Sequence, residues 1–207
     1  RACPYKGNTR SMMKLLGSPA SPFVRKTLIL MHEAEIADME FVQVTASPLG
    51  GEEALNAANP LGKIPALVRD EASTLYDSRV ITRFLNEHAK AGLYPEERLW
   101  EVLTLEATAD GIMEASVGIT YEKRHRSEDM WHHPWLDGQW TKIARALDVI
   151  EARWMSHLHG PLDMAQIGVA AALGYLDLRH DDKGWREGRP ALAAWHEVFS
   201  KRASMAA

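Results

Sequence analysis

Three short stretches carry residues whose types and spacing could bind and activate a small anionic molecule: Ser21-Pro22-Phe23, Lys63-Ile64-Pro65 and Asp77-Ser78. Serine caps helices well and proline suits the first helical position, so Ser21-Pro22 marks a helix start. A helix start leaves several backbone N–H groups unpaired at the positive end of a dipole. An anion docked beside Ser21 would be stabilised there, and the hydroxyl would add one hydrogen bond. Ser18, three residues earlier and just before Pro19, offers a second hydroxyl on the same loop. Asp77 reads as another N-cap, which puts Ser78 at a second helix N-terminus able to receive an anion. Taken alone, Ile64-Pro65 is an ordinary trans bond at a strand edge and Lys63 a solvated lysine.

These stretches need elements to position them. Residues 13–17 are a short apolar strand, and Pro22 to about Glu35 has a broad apolar helical face. Residues 41–44 form a second strand and 52–58 a short helix. Residues 66–68 and 74–76 flank the turn signal Asp70-Glu71 and read as a hairpin. A helix from Asp77 to about His88 carries Val80, Ile81, Phe84 and Leu85 at helical spacing. Residues 89–95 are a linker. From Glu96 onward no strand pattern remains, and all seven Trp lie there. Helical patterns run at about 97–123, 135–158, 164–178 and 190–201. The one from Met164 is apolar nearly all round, which predicts a central, buried helix. Asp163-Met164-Ala165-Gln166 fits a capping-box spacing at its start.

Composition sets limits. The 207 residues suffice for two modest domains, and 46% hydrophobic with 25% charged content is typical of globular proteins. No apolar run approaches the ~18–20 residues of a membrane span, and no basic block suggests nucleic acid. Residues 1–11 lack apolar periodicity and read as an expression-vector remnant. Setting them aside removes three of the 24 basic residues, taking the net charge from −4 to −7 against 28 acidic ones. It also removes Cys3, the single cysteine, leaving no disulfide, cysteine–zinc site or cysteine nucleophile. A cytoplasmic location is compatible with this. The histidines at 125, 132, 133, 157 and 159 lack metal-ligand spacing, so no metal is expected. No GxSxG motif supports a nucleophilic triad.

The order Ser21-Pro22-Phe23-Val24-Arg25, Asn59-Pro60-Leu61-Gly62-Lys63-Ile64-Pro65-Ala66-Leu67, Tyr76-Asp77-Ser78 within βαβα-ββα resembles cytosolic glutathione transferases. Within that family it is most similar to the serine-type tau/theta-like classes and related bacterial proteins. The resemblance covers nearly all of residues 13–202. It implies an α/β thioredoxin-like N-terminal domain over 12–88 and an all-α C-terminal domain over 96–207. It implies glutathione as co-substrate, no other cofactor and a homodimer. Carried onto this chain, Ser21 holds the thiolate and Lys63 the glycine carboxylate. A cis Ile64–Pro65 bond exposes the Ile64 backbone to the cysteinyl part, and Asp77 and Ser78 take the γ-glutamyl end. Asp110 lies on the first long C-terminal helix, from which related proteins can place an acid near the γ-glutamyl amine, and is a further candidate.

For a second, hydrophobic electrophilic substrate, Phe23 and the helical stripe Met113, Val117 and Tyr121 are candidates, with Arg124 for an anionic acceptor. The same stripe could instead be core. The rival readings are a non-catalytic binding module of this fold, a glutathione-dependent reductase, which the missing cysteine disfavours, and an isomerase, whose Ser-Ser-Cys-type motif is absent.

Overall fold

The computed structural model describes residues 12–70 and 72–206. The segment 1–11, with Cys3, lies outside the described residues. The N-terminal part runs β1 (Met13–Gly17), α1 (Pro22–Glu33), β2 (Met39–Gln43), α2 (Glu53–Ala58), β3 (Ala66–Arg69), β4 (Ala72–Leu75) and α3 (Ser78–Ala89). The four strands form one sheet in the order β2-β1-β3-β4. β1 and β2 are parallel, which requires a crossover, and α1 supplies it. β3 is antiparallel to both β1 and β4. This is the expected thioredoxin-like arrangement. β2 begins at Met39, two residues before its apolar run, because the parallel register pairs Met13 with Met39.

The rest is helical: α4 (Leu99–His125), α5 (His133–Arg153), α6 (Met155–Leu158), α7 (Met164–Arg179) and α8 (Pro190–Phe199). Among the described residues no strand follows Glu96. The pattern read as one helix over 135–158 is two, because the chain leaves helical geometry at Trp154 (φ −113°, ψ 0°). No helix among the described residues is long and apolar enough to cross a membrane.

Period-two alternation gives the sheet two different faces. Leu15 and Leu67 face a large core, shared with Ile29 and Leu30 of α1, Ile81 and Leu85 of α3 and the buried residues of α4 and α7. Leu16 and Ala66 face a smaller cluster with Val44 and Leu55. The large core is thus continuous between sheet and helices. Each fully buried Leu or Ile in it contributes about 1.5–3 kcal/mol.

α7 is buried over twelve of its sixteen residues, as its all-round apolarity predicts. Its Asp163 cap is wholly buried, and Oδ1 accepts from the N–H groups of Ala165 (3.1 Å) and Gln166 (3.3 Å). The other arm of the box differs from expectation. The Gln166 amide donates to the carbonyls of Pro161 (2.7 Å) and Gly160 (3.2 Å), tying the preceding loop to the helix.

Candidate functional site

The sheet register brings the three polar stretches to one end of the sheet. Leu16, near the end of β1, pairs with Ala66 at the start of β3. Leu67 pairs with Leu75 at the end of β4. The segments leaving β1 toward Ser21, entering β3 through Pro65 and leaving β4 toward Asp77 therefore share the same end of the sheet.

Ser21 is the N-cap of α1, extended at φ −82° and ψ 127°. Its Oγ accepts from the Val24 N–H at 3.5 Å, the outer limit of a hydrogen bond. The hydroxyl is weakly held by its own helix and half-exposed. Ser18 sits one turn back, and its carbonyl accepts from the Ser21 N–H at 2.9 Å. Gly17 makes the tight approach possible. A Cβ there would lie 2.8 and 2.9 Å from the two Val24 methyls. Only glycine lets α1 start so close to the strand that precedes it.

The loop before β3 is organised by Asn59, which is 1% exposed. Its Nδ2 donates to the Lys63 carbonyl (2.8 Å), and its Oδ1 accepts from the Leu61 N–H (3.0 Å). Gly62 turns between them at φ +61°, the left-handed region glycine tolerates. The Ile64–Pro65 bond that follows is cis. Pro65 is buried, Ile64 half-buried against the smaller cluster, and the Lys63 side chain exposed. Asn59 is visible in the sequence, but nothing local to it signals that it braces this loop.

Asp77 caps α3. Its Oδ1 accepts from the Arg79 N–H (3.1 Å) and its Oδ2 from Arg79 Nη2 (2.9 Å). Burial works to raise the Asp77 carboxyl. The Arg79 hydrogen bonds and charge, together with the Lys26 ammonium, outweigh it and hold the group below its ordinary value. Ser78, 3% exposed, forms the first turn of the helix.

Behind these lies a buried charge cluster absent from the sequence-based expectations. Lys26 of α1 is wholly buried. Its Nζ donates to Asp110 Oδ1 (2.7 Å) and Glu106 Oε1 (3.2 Å), both on α4. The Tyr94 hydroxyl lies 3.1 Å from both Glu106 oxygens and 2.9 Å from Thr82 Oγ1. Burial pushes the Glu106 carboxyl up; the Lys26 charge opposes this and the Asp110 carboxylate reinforces it. Burial, with the Glu106 charge, also raises the Tyr94 phenol. Asp110 is 3% exposed, and its Oδ2 makes no hydrogen bond. Arg79 Nε lies 3.8 Å from that oxygen. Removing one partner from such a cluster typically costs about 3–5 kcal/mol. Two signals were available: Lys26 interrupts the apolar face of α1, and Glu106 and Asp110 stand at i, i+4 on one face of a helix.

Of the stripe on α4, Met113 is fully buried in the large core. It has no surface to offer a ligand, so its position is explained by packing. Val117 and Tyr121 are half-buried, as is Phe23 beside Ser21. Tyr121 meets His125 edge to face at 5.6 Å, and Arg124 is exposed.

Residues 20–88 match the family model for the glutathione S-transferase N-terminal domain, and residues 134–197 match that for the C-terminal domain. The chain belongs to the glutathione S-transferase family. It is 34% identical over 199 residues to the "Uncharacterized GST-like protein YibF" of Escherichia coli (strain K12), covering 94% of this chain and 96% of that one. Among solved structures, it is similar to a glutathione transferase family member from Pseudomonas fluorescens Pf-5 with bound glutathione. The two share 46% identity and a TM-score of 0.91, over 93% of this chain and 96% of that one. A glutathione S-transferase from Methylobacillus flagellatus KT with GSH bound is 34% identical, with a TM-score of 0.83 over 93% and 96%. The family's two-domain fold, a small mixed sheet followed by a helical domain, is the fold described above.

Proposed function

We propose that the protein is a glutathione transferase that holds the glutathione sulfur as thiolate at Ser21 and conjugates it to a small hydrophobic electrophile. The observation carrying this reading is the convergence of Ser21, the Ile64–Pro65 turn and the Asp77–Ser78 helix start at one end of the sheet. The glutathione bound in similar solved proteins supports it. Glutathione lies extended across that end. Its γ-glutamyl carboxylate sits on the Ser78 N–H and hydroxyl, and its α-ammonium faces Asp77 and Asp110. Its cysteinyl backbone pairs with Ile64, and its glycine carboxylate meets Lys63.

The chemistry asks little of the protein. A free thiol of this kind has a pKa of about 8.5, and lowering it by two units takes about 2.7 kcal/mol of preferential thiolate stabilisation. One hydrogen bond to a charged acceptor contributes roughly 1.5–3 kcal/mol and a helix N-terminus about 0.3–1. The Ser21 Oγ, barely engaged by Val24, is free to donate to the sulfur. The thiolate lone pair then forms the new carbon–sulfur bond. The leaving group departs with its bonding pair, and the thiol proton has already passed to solvent. Phe23, Val117 and Tyr121 form the apolar wall for the electrophile. A homodimer and a cytoplasmic location belong to the same reading.

Calorimetric titration with glutathione, followed by a conjugation assay with an activated aryl chloride, tests it. Binding with turnover is expected. Binding without turnover on any electrophile would favour a non-catalytic module, and no binding would refute the reading.

A further inference from the structure

Asp110 is held by a wholly buried lysine. Lys26 lies five residues after Ser21 on α1 and contacts two carboxyl groups on α4, 80 and 84 positions along the chain. The groups facing Asp110 are Lys26 from α1, Arg79 from α3 and Glu106 from its own helix. Lys26 takes Oδ1 at 2.7 Å, while Oδ2 is buried and makes no hydrogen bond, with only a long ion-pair contact of 3.8 Å to the Arg79 guanidinium. Arg79 in turn holds Asp77 at 2.9 Å. A carboxylate so close to a guanidinium would ordinarily turn onto it and consume both oxygens. The Lys26 ammonium, locked by burial and shared with Glu106, fixes the carboxylate rotation that prevents this. A buried acceptor is thereby left without a hydrogen bond beside the N-terminus of α3, covered by the half-exposed Arg79 side chain.

We propose that Lys26 is a positioning residue of the glutathione site: it holds Asp110 so that Oδ2 receives the α-ammonium of the γ-glutamyl group. This rests on the glutathione reading and assigns the lysine a role in choosing the ligand. Tyr94, its hydroxyl held by Thr82, completes the device by donating to Glu106, so that Glu106 does not compete with Asp110 for all of the ammonium.

The test compares glutathione with its deaminated analogue, in which a glutaryl group replaces γ-glutamyl and the carboxylate is retained. Both affinities are measured by calorimetry. Wild-type protein should prefer glutathione by about tenfold or more, the worth of one charge-assisted hydrogen bond. Lys26→Met should weaken glutathione binding and bring the ratio close to one, leaving the analogue's affinity little changed. A purely structural role would weaken both ligands alike, so a preserved ratio overturns the proposal. If Lys26→Met does not fold, Lys26→Met/Glu106→Leu replaces the ion pair with apolar groups, an exchange proteins often accept. The same ratio decides there. Wild-type protein that binds glutathione without preferring it over the analogue overturns the Lys26 role alone. Wild-type protein that binds neither ligand overturns the glutathione reading and this inference with it.

Discussion

Replacing Ser21 with alanine separates the two tasks of that residue, capping a helix and holding a sulfur. The capping contribution is small here, because Oγ and the Val24 nitrogen are 3.5 Å apart. Serine caps are worth about 0.5–2 kcal/mol, and a bond at the limit of its range belongs at the low end. With roughly 2–4 °C per kcal/mol for a chain of this size, the melting temperature should fall by only about 1–3 °C. The sulfur contribution is larger. Loss of one hydrogen bond to a charged acceptor removes about 1.5–3 kcal/mol, which raises the bound thiol's pKa by about one to two units. At a fixed pH below the wild-type value the thiolate fraction then drops about tenfold or more. Glutathione affinity itself should stay within several-fold, since the carboxylate and ammonium contacts remain. The assay is ultraviolet thiolate absorbance of the protein–glutathione mixture against pH, run in parallel with Ser18→Ala. An unchanged bound-thiol pKa in Ser21→Ala, with a raised one in Ser18→Ala, would refute the assignment and move the activating hydroxyl to Ser18.

Other perturbations probe the neighbouring groups. Ser78→Ala should weaken glutathione binding about tenfold by removing one hydrogen bond to a carboxylate, read by calorimetry; unchanged affinity removes Ser78 from the site. Gly17→Ala would drive a Cβ to within 2.8 Å of Val24 and should cost about 1–3 kcal/mol in denaturant unfolding, with partial rescue in Gly17→Ala/Val24→Ala. His180, 2% exposed and 3.1 Å from the Ser116 carbonyl, has its pKa lowered chiefly by burial, with that carbonyl opposing. The unfolded chain therefore takes up more protons than the folded one between the lowered value and about 6.5. Its contribution to stability is complete above that window and is lost as pH falls through it. The melting temperature should drop on acidification below about pH 6.5, less steeply in His180→Gln.

The fold was legible because its signals are local and agree with one another. Ser21-Pro22, Pro161 with Asp163, and the all-round apolarity of 164–176 each mark a helix boundary or a buried helix without reference to anything distant. The break at Trp154 was not legible, since neither glycine nor proline marks it. Within the site, the three polar stretches could be read as stretches, but not as neighbours without the strand register that aligns Leu16 with Ala66 and Leu67 with Leu75. Lys26 escaped for the opposite reason. A lysine on an apolar helix reads as a surface residue whose stem covers the core, and its true partners lie 80 and 84 positions away. Met113 reads as a ligand contact from sequence alone because a stripe at i, i+4, i+8 is the same pattern whether it faces a cleft or the core. Only packing distinguished it from Val117 and Tyr121.

Ionisation of glutathione bound to the wild-type protein tests the central claim most directly. The thiolate absorbance of the complex, titrated with pH, should report a thiol ionising about one to two units below the free value of about 8.5. A bound thiol that ionises at the free value, in a complex that forms normally, would contradict sulfur activation at the α1 N-terminus.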